Sequence, residues 1–317
     1  MKRSLVLALL VACGNNETAP PDAARDAAVG DDAPPPPRSW VAQSSGAGGR
    51  RLTSVAGCGN QLYAVGESGT ILGSTDGSTW TAQTSTTTRA LYGVWCSGST
   101  AIAVGMSGTI LHSTNDGGMW TARDGGTTAW LRGVWGASTG DVYVAGHQGT
   151  VRRSPDGITW QLVLTTFPAT TNFHGVSGRI ATDANLAGSD GGATVWQETN
   201  GTFLKRPLPN SPALHAIAGS SAGGLLAVGE NGTILRQGIE WDVVTSGTAQ
   251  LLRGVWKNGT HAYAVGDAGT ILRSSDGGEL WQREDSGTMQ DLYGVFALGA
   301  NVYAVGANGT ILRRAGL

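Results

Sequence analysis

The segment "GDAGTILRSSDGGELW" (residues 266–281) is one copy of a phrase that returns as "GESGTILGSTDGSTW" (66–80) and "GMSGTILHSTNDGGMW" (105–120), and the chain ends on a shortened "GANGTILRRAGL". Aligning the threonine of each GTIL-like element gives Thr70, Thr109, Thr150, Thr194, Thr233, Thr270 and Thr310, at spacings of 39, 41, 44, 39, 37 and 40 residues. A fixed period in this range marks a solenoid or a propeller. Each unit reads "LxGVW", then "YAVG", then "GTILRS", then a tryptophan-led segment. The fourth unit, "NLAGSDGGATVWQ", departs most from the pattern.

The segments are short, rich in Val, Ile, Thr, Tyr and Trp, and bounded by turn residues, which is strand chemistry. None of them keeps a helical hydrophobic period for three turns. "YAVGESGTIL" reads as two strands around a tight hairpin, and the Asn-Gly pairs at Asn231 and Asn308 suit a type I′ turn. Four strands per unit, repeated seven times, predict an all-β fold: a seven-bladed β-propeller over residues 39–317. The positions that open the outermost strands are Trp40, Trp80, Trp120, Trp160, Phe203, Trp241 and Trp281. The last unit lacks such a residue, whereas "SWVAQSSG" precedes the first complete unit. Trp40 is therefore expected to complete the seventh blade and close the circle.

The first residues read as an address. Lys2 and Arg3 precede the apolar run Leu5 to Val11, too short to span a bilayer. "LVAC" ending at Cys13 resembles the lipobox of bacterial lipoproteins, which implies a signal peptide over 1–12 and lipidation of Cys13. Gly14 stands where an aspartate would favour inner-membrane retention, so the outer membrane is the expected location within the cell envelope. Residues 13–38 are rich in Pro, Ala and Asp, with too little apolar surface to offset ordering entropy, and are expected to be a disordered tether. Two cysteines remain, Cys58 and Cys96, at nearly equivalent places in the first two units. A disulfide and two free thiols are both compatible with the sequence.

The net charge of −2 and the scarcity of lysine exclude the basic stripe of a nucleic-acid binder. "SSDGGELW" (274–281), "STNDGGMW" (113–120) and the shorter "STDGSTW" (74–80) and "SPDGITW" (154–160) resemble the Asp-box, or bacterial neuraminidase repeat. Their aspartates, Asp76, Asp156 and Asp276, read as turn carboxylates that accept backbone amides. Within Asp-box propellers the unit is most similar to the photosystem II stability/assembly factor type. That resemblance implies a non-catalytic module that binds partner proteins.

Candidate ligand-facing positions are those where the repeat varies. Directly after the repeat leucine (or Phe173) stand Thr53, Tyr92, Arg132, His174, His215, Arg253 and Tyr293. After the "VG" of the second strand stand Glu67, His147, Glu230 and Asp267 among others. Both sets are expected to ring the central opening, with Arg132 and Arg253 able to grip a carboxylate. His147, His174 and His215 lack metal-ligand spacing, so neither a metal nor a cofactor is expected. The GxxG elements are not followed by helices and are not phosphate loops. The reading is a monomeric, lipid-anchored binding or assembly platform for envelope proteins. A glycan-binding protein or a sialidase-like glycoside hydrolase is the competing expectation; the latter would need carboxylates at defined separation.

Overall fold

A computed structural model describes residues 39–163, 167–180, 182–220 and 223–317. Cys13 and the segments 1–12 and 13–38 lie outside the described residues. Seven four-stranded antiparallel sheets follow one another as blades, the first six running in chain order from inner to outer strand. Blade 1 covers residues 52–83, blade 2 covers 91–123, blade 3 covers 131–162, blade 4 covers 172–205, blade 5 covers 214–244 and blade 6 covers 252–284. Blade 7 is composite: Leu292–Leu298, Asn301–Gly306 and Ile311–Ala315 are completed by Trp40–Ala42. Trp40 faces Arg314 and Ala42 faces Leu312 in an antiparallel ladder. The expected closure is therefore present.

The repeat leucines and valines are spent between blades. Seven apolar clusters occupy the seven blade interfaces. The one that joins the ends of the ring packs Leu52, Leu62 and Trp80 of blade 1 against Tyr303, Val305 and Ile311 of blade 7. Each fully buried aliphatic side chain here contributes roughly 1.5–3 kcal/mol.

The outer-strand tryptophans do more than cover a hairpin. Trp80 meets Tyr303 edge-on at 6.3 Å, Trp120 meets Tyr63 at 5.8 Å and Trp40 meets Tyr263 at 6.1 Å. In each case the tryptophan of one blade packs on the tyrosine of the blade before it. The "YAVG" tyrosine and the outer tryptophan thus form the same contact at three of the blade interfaces, with Tyr143 on Phe203 as its counterpart at a fourth, each pair worth about 0.5–1.5 kcal/mol beyond burial.

The glycine of "LxGVW" has a steric reason. A Cβ on Gly133 would stand 2.8 Å from the backbone nitrogen of Val176 in the next blade. Inner strands lie side by side around the axis and leave no room for it. The second-to-third-strand hairpins carry the expected turn. Asn231 and Gly232 have φ of 53° and 68°, and Thr233 N–H donates to Glu230 C=O at 3.0 Å. That is a two-residue type I′ connection. Cys58 and Cys96 are disulfide-bonded with Cα atoms 5.8 Å apart, linking the inner strands of blades 1 and 2.

Candidate functional site

Every inner strand contains the same irregularity. In blade 1 Leu52 pairs with Gly66 and Ser54 with Val65, so Thr53 is an extra residue in the ladder. The same shift brackets Tyr92, Arg132, His174, His215, Arg253 and Tyr293. A bulge bends the strand and re-aims the extra side chain. Seven bulges therefore point seven variable side chains at the axis, while the preceding leucines stay buried. They line a mouth of about 490 Å³ together with Arg51 and Trp130. Below it the channel narrows between the inner-strand backbones.

The second variable column is fixed to the same end of the ring by backbone bonds. Glu67 N–H donates to Arg51 C=O at 3.0 Å, His147 N–H to Trp130 C=O at 2.9 Å, and Asp267 N–H to Leu251 C=O at 3.0 Å. These residues do not line the mouth as the sequence suggested. They stand behind it and hold the residues that do. Glu67 is 2.7 Å from Arg51, and Asp267 takes both Nε and Nη2 of Arg253, the latter at 3.2 Å. Glu230 lies 3.9 Å from His215 Nε2, and His147 Nε2 accepts Arg132 Nε at 3.2 Å. The physical reason is position: these residues follow the second strand, where their backbone is bonded to the residue before the inner strand, so Glu67 and Asp267 meet the guanidinium groups there.

An aromatic arc runs along blades 2 to 5. The Arg132 guanidinium lies 4.2 Å over the Tyr92 ring and 5.5 Å over Trp130. Trp130 stacks on His147 at 5.4 Å, His147 meets His174 edge-on at 5.8 Å, and His174 stacks on His215 at 5.1 Å. Burial, then the neighbouring His215 and Arg132, brings the His174 pKa down to about 3. Burial, followed by the charge of a neighbouring arginine, also lowers His147 and His215. The imidazoles are therefore neutral donors and acceptors at neutral pH. On the other side Arg253 and Arg51 both lie over the Tyr293 ring, at 4.9 and 5.2 Å. Thr53 gives its hydroxyl to Leu91 C=O at 2.6 Å, tying blade 1 to blade 2.

Arg51 and Trp130 were not among the sequence candidates. Both occupy the position before the repeat leucine, a third variable column holding Arg51, Ala90, Trp130, Asn172, Ala213, Leu251 and Asp291. An exposed tryptophan in that column was the available signal.

The "SxDG" turns lie at the other end of the blades. Asp76 Oδ1 accepts the amides of Ser78 and Thr79 at 2.8 and 2.7 Å, and Asp156 Oδ1 those of Ile158 and Thr159 at the same distances. These bonds, from Thr159 first and Ile158 second, hold the Asp156 carboxyl at about 2. Asp276 accepts Glu279 and Leu280 amides at 3.0 and 3.1 Å. Each carboxylate is consumed by its own turn.

A closed ring of seven four-stranded blades with a polar axial mouth defines a seven-bladed β-propeller. The DUF6242 beta propeller domain matches residues 27–131, less than half of the chain. No curated protein matches it in sequence. Among solved structures it is similar to YCF48 from Cyanidioschyzon merolae, with 19% identity, a TM-score of 0.73, and coverage of 87% of this chain and 99% of that one. A structure of YCF48 bound to D1 peptide is similar at 17% identity and a TM-score of 0.72, covering 89% and 96% of the two chains. A GH74 xyloglucanase from Xanthomonas campestris follows at 14% identity and a TM-score of 0.68, covering 88% of this chain and 54% of that one. At these identities the likeness establishes the fold alone.

Proposed function

We propose that this chain is a lipid-anchored propeller of the cell envelope that acts as a non-catalytic platform for a protein partner, docked at the axial mouth. The carrying observation is the convergence of seven bulge residues, one per blade, on a single polar opening with aromatic walls. Such a mixture of guanidinium, imidazole, phenol and indole suits an irregular polar segment. The likeness to a propeller seen with a bound peptide supports the same reading.

Catalysis fits the site less well. General acid–base chemistry at a glycosidic bond needs two carboxylates free to exchange protons. Glu67 and Asp267 are each paired with an arginine, and Glu230 sits behind His215. The lipid anchor rests on the resemblance of "LVAC" to a lipobox, the outer-membrane location on Gly14 standing where an aspartate would favour inner-membrane retention, and the Asp-box reading on the resemblance of the "SxDG" turns.

The test is affinity capture from envelope extract with the detergent-solubilised full-length chain, wild type against a His174→Ala/His215→Ala double variant. A protein captured by the wild type and lost by the mouth variant supports the platform. A sugar that binds on a glycan array and displaces every captured protein reverses the order in favour of a glycan-directed protein. Turnover of 4-methylumbelliferyl glycosides would establish an enzyme. For the anchor, Cys13→Ala should move the protein out of the membrane fraction; unchanged fractionation defeats that part.

A further inference from the structure

The three guanidinium groups at the mouth are not equivalent. Arg51 and Arg253 each arrive with an anion already in place, Glu67 at 2.7 Å and Asp267 through both oxygens. Arg132 does not. Its Nε donates to His147 Nε2 at 3.2 Å, a neutral acceptor, and no carboxylate among the described residues pairs with it. It is also partly withdrawn from water, between the Tyr92 ring at 4.2 Å and the Trp130 ring at 5.5 Å. A cation held in that way without an anion is an unfavourable arrangement that a bound anion relieves. With Nε occupied by His147, the two terminal Nη groups remain to receive both oxygens of one carboxylate.

The remaining charges fix the kind of anion. Behind the mouth, Glu67 and Asp267 are each paired with an arginine, and Glu230 lies beside the neutral His215. A dianion such as a phosphate monoester would find one guanidinium without an anion and, in Glu230, one carboxylate without a cation. A single carboxylate matches the one guanidinium that has no anion. Beside it, Trp130 is exposed at 39%, unusual for tryptophan in this protein. It offers a flat face next to the anion position.

We infer that Arg132 is the seat for one carboxylate of a peptide ligand, with Trp130 and Tyr92 as the wall against which the adjoining planar or apolar group packs. Arg51 and Arg253 are ties between the inner strands and their hairpins, not receptors. The inference rests on the mouth being the docking site for a protein segment.

The test is ligand-observed saturation-transfer NMR on the full-length chain with three probes. N-acetylphenylalanine carries a terminal carboxylate beside a ring, its amide lacks the charge, and N-acetylglutamate N-methylamide carries a side-chain carboxylate. At least one acid should bind in the millimolar range usual for fragments of this size, and the amide should not. Which acid binds better tells a chain terminus from an acidic side chain. Arg132→Gln should weaken binding at least about tenfold, as loss of a charge-assisted hydrogen-bonded pair does. Arg132→Lys, which keeps the charge and loses the fork, should fall between. His147→Ala, which leaves the guanidinium intact, should keep measurable binding. Equal binding of the amide, no binding of either acid, or loss on Arg253→Gln without loss on Arg132→Gln overturns the inference. If carboxylate binding fails while partner capture persists, the seat is wrong and the platform stands. If the acids bind at Arg132 but no partner is captured, the platform reading alone fails.

Discussion

Replacing Trp40 with alanine opens the ring at its only composite blade. The indole is buried, packs edge-on at 6.1 Å against Tyr263 of blade 6, and donates Nε1–H to Glu284 Oε2 at 2.8 Å. That carboxylate also meets Arg314 Nε at 3.1 Å, and Arg314 is itself buried. Truncating a core tryptophan costs about 3–5 kcal/mol. The lost hydrogen bond to a charged acceptor lies within that range, because Arg314 still partners Glu284. About 4 kcal/mol is therefore expected, a large share of the 5–15 kcal/mol typical of a folded domain. Trp40→Phe keeps most of the burial and loses the donor, so about 1–2 kcal/mol is expected. Urea unfolding followed by circular dichroism gives both numbers, and hydrogen exchange supplies a local readout. Amides within 312–314, which pair with 40–42, should lose protection first in the alanine variant. A cost below about 1 kcal/mol, or unchanged protection of that strand, would refute the argument that the N-terminal strand locks the ring.

Three further outcomes are expected. Removing the disulfide with Cys58→Ser/Cys96→Ser frees a loop with a sequence separation of 38, and the chain-entropy relation sets an upper bound of about 4 kcal/mol; a loss of about 2–4 kcal/mol in urea unfolding checks it. His112 is buried at 3% exposure, its ring nitrogens have no hydrogen-bond partner among the described residues, and burial followed by the charge of Arg123 lowers its pKa. The unfolded chain binds that proton near 6.5 and the folded chain only at lower pH. Stability is thus unaffected above that pH and falls as pH drops below it, by up to about 1.4 kcal/mol per pH unit for this site; His112→Gln should flatten the acid limb of a Tm-against-pH curve. Gly133→Ala forces a Cβ to 2.8 Å from Val176 N and should cost about 1–3 kcal/mol, read as a lower urea midpoint with blade count unchanged by scattering.

The two variable columns show how far linear reading reached. The column after the repeat leucine, from Thr53 to Tyr293, does face the axis, because the bulge recurs in every blade. The column after "VG" was grouped with it, yet Glu67 and Asp267 turn back onto Arg51 and Arg253. Sequence shows where a side chain leaves the backbone; it does not show which neighbour it meets first. Arg132 and Arg253 are alike in the repeat and differ only because Asp267 follows one and His147 the other. That difference was printed in the chain, but its meaning depends on hairpin and inner strand lying within a hydrogen bond of each other.

The blade number, the shared last blade and the type I′ turns were determined by the sequence alone. They depend on a period, on a count of outer tryptophans and on local φ preferences such as that of Asn-Gly, all of which are properties of short stretches. Which arginine keeps an uncompensated charge, whether Cys58 meets Cys96, and that Trp40, Trp80 and Trp120 pack on the preceding blade's tyrosine were decided only by the closed ring. Those contacts join residues about one repeat or more apart, or held by different strands, and they exist because circular packing brings inner strands and neighbouring blades within a few ångströms of each other.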